Sequence, residues 1–173
     1  MRAPFQILAI PYRMVDSRPL FCVFRRADSG QWQFLAGGGE NSETPLDAAK
    51  REAFEESGVR STEWMALESV AHIPAEAIRE PHRRHWREDV YVIPEYAFAF
   101  ACPADACIRL SQEHTACAWL SCAEAARKLK WDSNRTALYE LHCRLRAKHG
   151  KSADRPSEEP HLIPDPQEHP EAE

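Results

Sequence analysis

Between Gly37 and Val59 the chain spaces its acidic residues in a way that can do chemistry. Glu43 follows Gly37 after five residues, and after seven more comes Arg51-Glu52-Ala53-Phe54-Glu55-Glu56-Ser57-Gly58-Val59. On a helix, Glu52, Glu55 and Glu56 stand at i, i+3 and i+4, so their three carboxylates share one face. Like charges so close repel, and a hard divalent cation taken by oxygen ligands is the simplest compensating partner. A solvated, charged helix face accounts for any one of these glutamates; it does not account for the set. A cation held on such a face can withdraw charge from a bound anionic ligand and orient a water, whose proton a carboxylate accepts. Nothing in the chain calls for a nucleophilic Ser or Cys.

The segment that must carry these acids has chemical start and stop signals. Thr44 is an N-cap, Pro45 fits the first helical position, Asp47 stands three after the cap, and Gly58 suits a left-handed C-terminal cap. A helix from about Pro45 to Ser57 follows, with Leu46, Ala49 and Ala53 on one face, small enough to pack closely on a sheet. Upstream, Phe5 to Arg13 and Pro19 to Arg26 read as paired strands, and Gln31 to Leu35 as a third. Gly37-Gly38-Gly39 reads as non-strand, backbone that turns sharply or approaches a ligand closely. Downstream, Thr62 to Ile73, Val90 to Cys102 and Ala116 to Leu120 are expected strands, and Arg79 to Arg87 a cationic exposed loop. Cys122 to Leu129 and Thr136 to His149 have helical composition.

The bulk properties set limits on partners. A chain of 173 residues with 43% hydrophobic and 28% charged residues suits one domain. The expected division is a domain over 1–149 and a Pro/Glu-rich tail over 150–173, poor in core-forming residues. A net charge of −5 supplies no global field for a nucleic-acid backbone, so duplex nucleic acid is not an expected partner. No apolar run is long enough for a membrane span, and the N-terminus lacks a secretion signal, so a cytoplasmic location is expected. The six cysteines are accordingly read as buried thiols.

The string from Gly37 to Val59 resembles the signature of the Nudix hydrolases, G-x5-E-x7-R-E-U-x-E-E-x-G-U, and agrees with it at every fixed position; only Ala53 is small for its apolar slot. The resemblance implies an α/β fold, a Nudix-type α/β/α sandwich with a mixed β-sheet between helices. It implies Mg2+, with Mn2+ as substitute, held by Glu52, Glu55 and Glu56, with a backbone ligand from Ala36. Glu52 and Arg51 take catalytic roles, while Arg51 and Glu43 brace the loop and helix, and Gly37 and Gly58 are structural. A phosphoanhydride small molecule is the implied substrate, and dimerisation is left open.

Outside the box the chain is most similar to the bacterial dihydroneopterin triphosphate and dATP pyrophosphohydrolase branch. The carriers are Phe24-Arg25-Arg26, Gln31-Trp32-Gln33, Ser111-Gln112-Glu113-His114, Ala118-Trp119-Leu120 and Trp131-Asp132-Ser133-Asn134-Arg135. Substrate contacts are expected from Arg25, Trp32, Ala36, Arg83 and Ser133, and Glu113 is expected as base or further metal ligand, its carboxylate rather than the His114 imidazole facing inward. Each has a plainer reading: Trp32 as core, Arg25 as a surface cation, Ser133-Asn134 as a helix cap, Arg83 in a solvated loop. Pro74, fifteen residues after Val59, lies near a proline position of ADP-ribose pyrophosphatases. Cleavage of ADP-ribose or dinucleoside polyphosphates is therefore the rival activity, and a non-catalytic nucleotide sensor the rival class, although sensors usually lose box glutamates that are all present here.

Overall fold

The computed structural model describes residues 1–149; the expected tail over 150–173 lies outside the described residues. The strands are β1 (Arg2–Val15), β2 (Arg18–Arg26), β3 (Trp32–Gln33), β4 (Leu35–Glu40), β5 (Trp64–Pro74), β6 (Val92–Ala101) and β7 (His114–Leu120). The helices are α1 (Pro45–Ser57), α2 (Glu80–Arg83), α3 (Cys122–Lys128) and α4 (Asp132–His149). All seven strands join one mixed sheet, ordered β3-β2-β1-β6-β5, with β4 paired to β1 and β7 to β2. Among the described residues, β1 and β6 are the one pair of strands that runs parallel.

Strand β1 organises the sheet because it is long enough to serve three partners. Its first part pairs with β4 and its last residues with β2, while β6 runs along the opposite edge. The β1–β2 hairpin closes on Asp16 and Ser17, both left-handed at φ 47° and 61°, which matches the strands' own twist. Because side chains alternate along a strand, β1 feeds two separate cores. Ile7 and Ala9 pack with Phe24, Leu35 and the α1 alanines Ala48, Ala49 and Ala53. Leu8, Ile10 and Tyr12 pack with Phe21, Phe34 and the α4 leucines Leu138, Leu141 and Leu145. The expected sandwich is what forms, with α1 on one face and α4 on the other.

Several expected boundaries move. The glycine triplet is strand: Gly37 pairs with Ile7 and Gly38 with Gln6. Its glycines serve close approach, since a Cβ at Gly37, Gly38 or Gly39 would meet, respectively, the Glu52 carboxyl, the Arg2 guanidinium or the Phe5 ring. The stretch Arg79 to Arg87 holds the short helix α2, and Trp86 ties it down by donating its ring N–H to the Arg2 carbonyl at 2.8 Å. Helix α4 starts at Asp132 rather than Thr136, so Ser133 and Asn134 lie in its first turn. Asn134 accepts the Phe34 amide at 2.9 Å and so docks the helix against the sheet. Of the cysteines, Cys22 and Cys102 are buried, Cys107 and Cys143 are exposed, and all six are free thiols; the expectation of buried thiols holds only for those two.

Candidate active site

Helix α1 has the bounds its caps dictate. The Thr44 hydroxyl accepts the Asp47 amide at 3.2 Å, and Gly58, at φ 71°, sends its amide back to Phe54. The buried alanines bring the helix close to β4, which places the acids against the glycine strand. Glu52 lies over Gly37. Glu56 is 4% exposed, and its Oε2 has no hydrogen-bond partner. Glu55 is the outermost of the three, its side chain 55% exposed.

Arg51 braces this arrangement. Its Nε and one Nη engage both oxygens of Glu43 at 2.9 and 3.0 Å, the forked pairing for which guanidinium is shaped. The same Nη donates to the Gly38 carbonyl at 2.8 Å, and the other Nη meets Glu52 and Glu55 at 3.0 and 3.1 Å. Glu43 also accepts the Glu40 amide at 2.9 Å, which fixes the turn into the helix. Among the described residues no three acids, histidines or cysteines converge into a ready-made cage. Glu52 and Glu55 both reach the Arg51 guanidinium, which offsets part of their mutual repulsion.

The electrostatics fit a cation. Burial pushes the Glu56 carboxyl up to about 9, reinforced by Glu52 and Glu113 and opposed by Arg26 and by the backbone of Ala36. Burial likewise raises Glu52, against the pull of Arg51. A partnerless oxygen on a buried acid, one turn from a second, half-buried acid, is a hard-oxygen donor set short of positive charge.

The loop before β7 is stapled to the end of α1, because Arg109 and Ser111 send their amides to the Ser57 and Glu56 carbonyls at 2.8 and 3.2 Å. This brings Glu113 close enough to raise both Glu52 and Glu56. Its side chain is exposed and ion-paired to Arg26 at 2.7 Å, whereas His114 is buried, tilted against Phe24, with Nε2 3.9 Å from Glu56. The inward member of the pair is thus the imidazole, contrary to expectation. The strand register explains it: Arg26 opposes His114 across a bulge, so the residue after Glu113 takes the core-facing position.

The remaining candidates separate. Arg25 turns away to the Gly30 carbonyl at 3.3 Å, and Arg26, one residue on, is the cation whose charge reaches Glu56. Period-two alternation with the bulge after Arg25 is the signal that distinguishes them. Trp32 is half-buried on the α4 side, its ring covered by the Lys128 ammonium at 4.5 Å. Arg83 lies in α2, half-buried, with no partner for its Nε. Ser133 faces a cavity on the α4 side together with Glu95. Sequence reasoning passed over Arg2, Arg26 and Glu95.

Comparison with known proteins shows the family. The NUDIX domain family model matches residues 8–141. A protein from Listeria monocytogenes assigned to the NUDIX hydrolases is 38% identical, covering 85% of this chain and 97% of its own, with a TM-score of 0.73. The E. coli dihydroneopterin triphosphate pyrophosphohydrolase is 26% identical, covering 83% and 97%, with a TM-score of 0.66. An octanoyltransferase from Myxococcus xanthus is 31% identical over 129 residues, 75% of this chain, and the chain spans 33% of that relative's length. The chain belongs to the Nudix hydrolase family. Its class is that of a mixed seven-stranded sheet flanked by helices, with the acidic box on α1.

Proposed function

We propose that this chain is a Mg2+-dependent pyrophosphohydrolase that cleaves a nucleoside triphosphate-like substrate, of the dATP or dihydroneopterin triphosphate class, between the α and β phosphates. The observation that carries the reading is the buried, partnerless Glu56 oxygen one turn from Glu52, with Arg51 gripping the strand beneath. Glu52, Glu55 and Glu56 would hold the ion, with Glu113 and the carbonyl of Ala36 as further ligands, and Mn2+ would substitute. When bound, the cation neutralises phosphate oxygens and acidifies a coordinated water.

The residues of the chain supply the rest. The water oxygen bonds to phosphorus, the bridging P–O bond breaks, and its electron pair leaves with pyrophosphate. The released proton passes to a carboxylate, Glu52 or Glu113. Arg26 lies beside Glu113, where its charge can orient that carboxylate and meet a phosphate oxygen. The free thiols fit a reducing compartment, and the reading includes a cytoplasmic location.

The test is incubation with dATP, dihydroneopterin triphosphate, ADP-ribose and diadenosine tetraphosphate, with products resolved by chromatography. Monophosphate and pyrophosphate are expected from the first two, with no turnover in excess EDTA. Full turnover in EDTA, or cleavage of ADP-ribose alone, would sink the reading.

Glu113→Gln is expected to reduce kcat much more than it raises KM, because the lost interaction belongs to the transition state. His114→Ala is expected to be milder in kcat but to lower the melting temperature, since it empties a buried site beside Phe24. If the histidine change were the more damaging to kcat across the pH profile, Glu113 would lose its assignment.

A further inference from the structure

His114 holds the inward position beside α1 at a cost that packing alone does not explain. Its side chain is wholly buried, with the ring 5.2 Å from that of Phe24, a contact that an apolar residue of similar size would also make. Neither ring nitrogen has a hydrogen-bond partner, and burying a polar group without one costs free energy. A neutral imidazole carries a proton on one of its two nitrogens, so the site holds an N–H donor with nothing to donate to.

The carboxylate it faces is itself incomplete. Glu56 Oε2 stands 3.9 Å from His114 Nε2 and also lacks a partner. Bringing the two to the ~2.9 Å of an N–H···O bond takes a movement of about 1 Å. The main chain already clasps both residues to a common neighbour: the Ser111 amide donates to the Glu56 carbonyl at 3.2 Å, and the His114 amide donates to the Ser111 carbonyl at 3.3 Å. The other charges around the ring are engaged with one another, since Arg26 pairs with both Asp28 and the exposed Glu113.

We infer that His114 is a positioning residue for the cation site, its Nε2–H donating to Glu56 Oε2 and so directing the other oxygen of that carboxylate to the ion. A hard cation takes oxygen, so His114 is not itself a ligand; it orients the side chain that supplies one. A carboxylate gripped on one oxygen loses the freedom to turn away, which favours binding without new charge at the site. The inference rests on the reading that Glu56 holds the ion, and adds to it the residue that aims Glu56.

The test is Mn2+ binding to the full chain, followed by electron paramagnetic resonance at constant pH, for wild type, Glu56→Gln, His114→Gln and His114→Leu. Glutamine places an amide nitrogen as many bonds from the backbone as the imidazole Nε2 and keeps a donor there, whereas leucine keeps the bulk and removes the donor. His114→Leu is expected to weaken Mn2+ binding at least about tenfold, and His114→Gln to stay within about threefold of wild type, on the scale by which partners of metal ligands act. Melting temperatures without metal should not follow that order, because leucine packs against Phe24 and leaves no buried nitrogen unpaired. Equal affinities of wild type and His114→Leu, or a glutamine variant as weak as the leucine one, overturn the inference. So does coupling of the bound Mn2+ to an imidazole nitrogen, which would make His114 a ligand. If His114→Leu fails to fold, NMR of the wild type decides: adding Mg2+ must shift the His114 Nε2 proton downfield, and an unchanged ring overturns the inference. Failure of the wild type to bind Mn2+, or wild-type binding by Glu56→Gln, overturns it together with the placing of the ion on Glu56. A His114-dependent Mn2+ site in a chain that cleaves neither dATP nor dihydroneopterin triphosphate would overturn the pyrophosphohydrolase reading and leave the role of His114 standing.

Discussion

Replacing Glu56 by glutamine is expected to lower kcat by about a hundredfold or more, the scale of removing an electrostatic stabiliser, while the fold survives. Glutamine keeps the shape of the side chain and removes only its capacity to carry charge. The same substitution should change how stability depends on pH in the metal-free protein. The folded carboxyl titrates at about 9 against an ordinary 4.5, so the native state holds its proton more tightly than the unfolded chain does. Its contribution to stability is full below about pH 4.5 and is lost as pH rises toward 9. In EDTA the wild-type melting temperature should therefore fall across that window, and Mg2+ should restore it by binding the native state. Glu56→Gln should flatten the curve and blunt the response to Mg2+. A near-normal kcat, or an unchanged response to Mg2+, would show that the cation lies elsewhere.

Gly37→Ala should cost about as much activity with little cost to stability. The backbone of Gly37 is ordinary strand, and the obstacle is what its missing side chain makes room for: an added Cβ would stand 2.0 Å from the Glu52 carboxyl carbon. A flexible carboxylate can swing aside cheaply, so the melting temperature should move by no more than about 1 kcal/mol of stability implies. The displaced carboxylate, however, no longer meets the face it shares with Glu56. Misplacement of a reacting group by about 1 Å can cost on the order of a hundredfold in rate. Steady-state kcat with the Mg2+ activation curve, read beside thermal melting, checks this. If Gly37→Ala turned over normally, Glu52 would not act from its position over the strand.

The helix and its acids were legible in the sequence because each of their signals is local. Thr44, Pro45 and Gly58 set the ends by their own chemistry, and the spacing of Glu52, Glu55 and Glu56 sets the face. The glycine triplet was misread for the opposite reason. Its composition argues against strand, yet what keeps it extended is pairing with Ile7 and Gln6, and what requires glycine is Glu52, Arg2 and Phe5 crowding in from elsewhere in the chain. Arg25 and Arg26 could not be told apart without the bulge that sets which of them faces α1. Glu95 left only a faint trace, a lone acid in an otherwise apolar strand, and its environment depends on Gln6 and Ser133, far away in sequence.

The alternation along β1, which sends Ile7 and Ala9 to one core and Leu8 and Ile10 to the other, divides the molecule into two compartments with a shared wall. Residues that do not touch across that wall contribute to stability nearly independently. Substitutions in the α4 compartment can reshape what the cavity admits without disturbing the spacing of the acids on α1. Descendants of such a chain can diversify in what they recognise while inheriting the cleavage machinery intact. The exception is Arg2, which bonds to Gln6 on one side and feels the charge of Glu52 on the other, so a change at that one residue would be felt in both compartments at once.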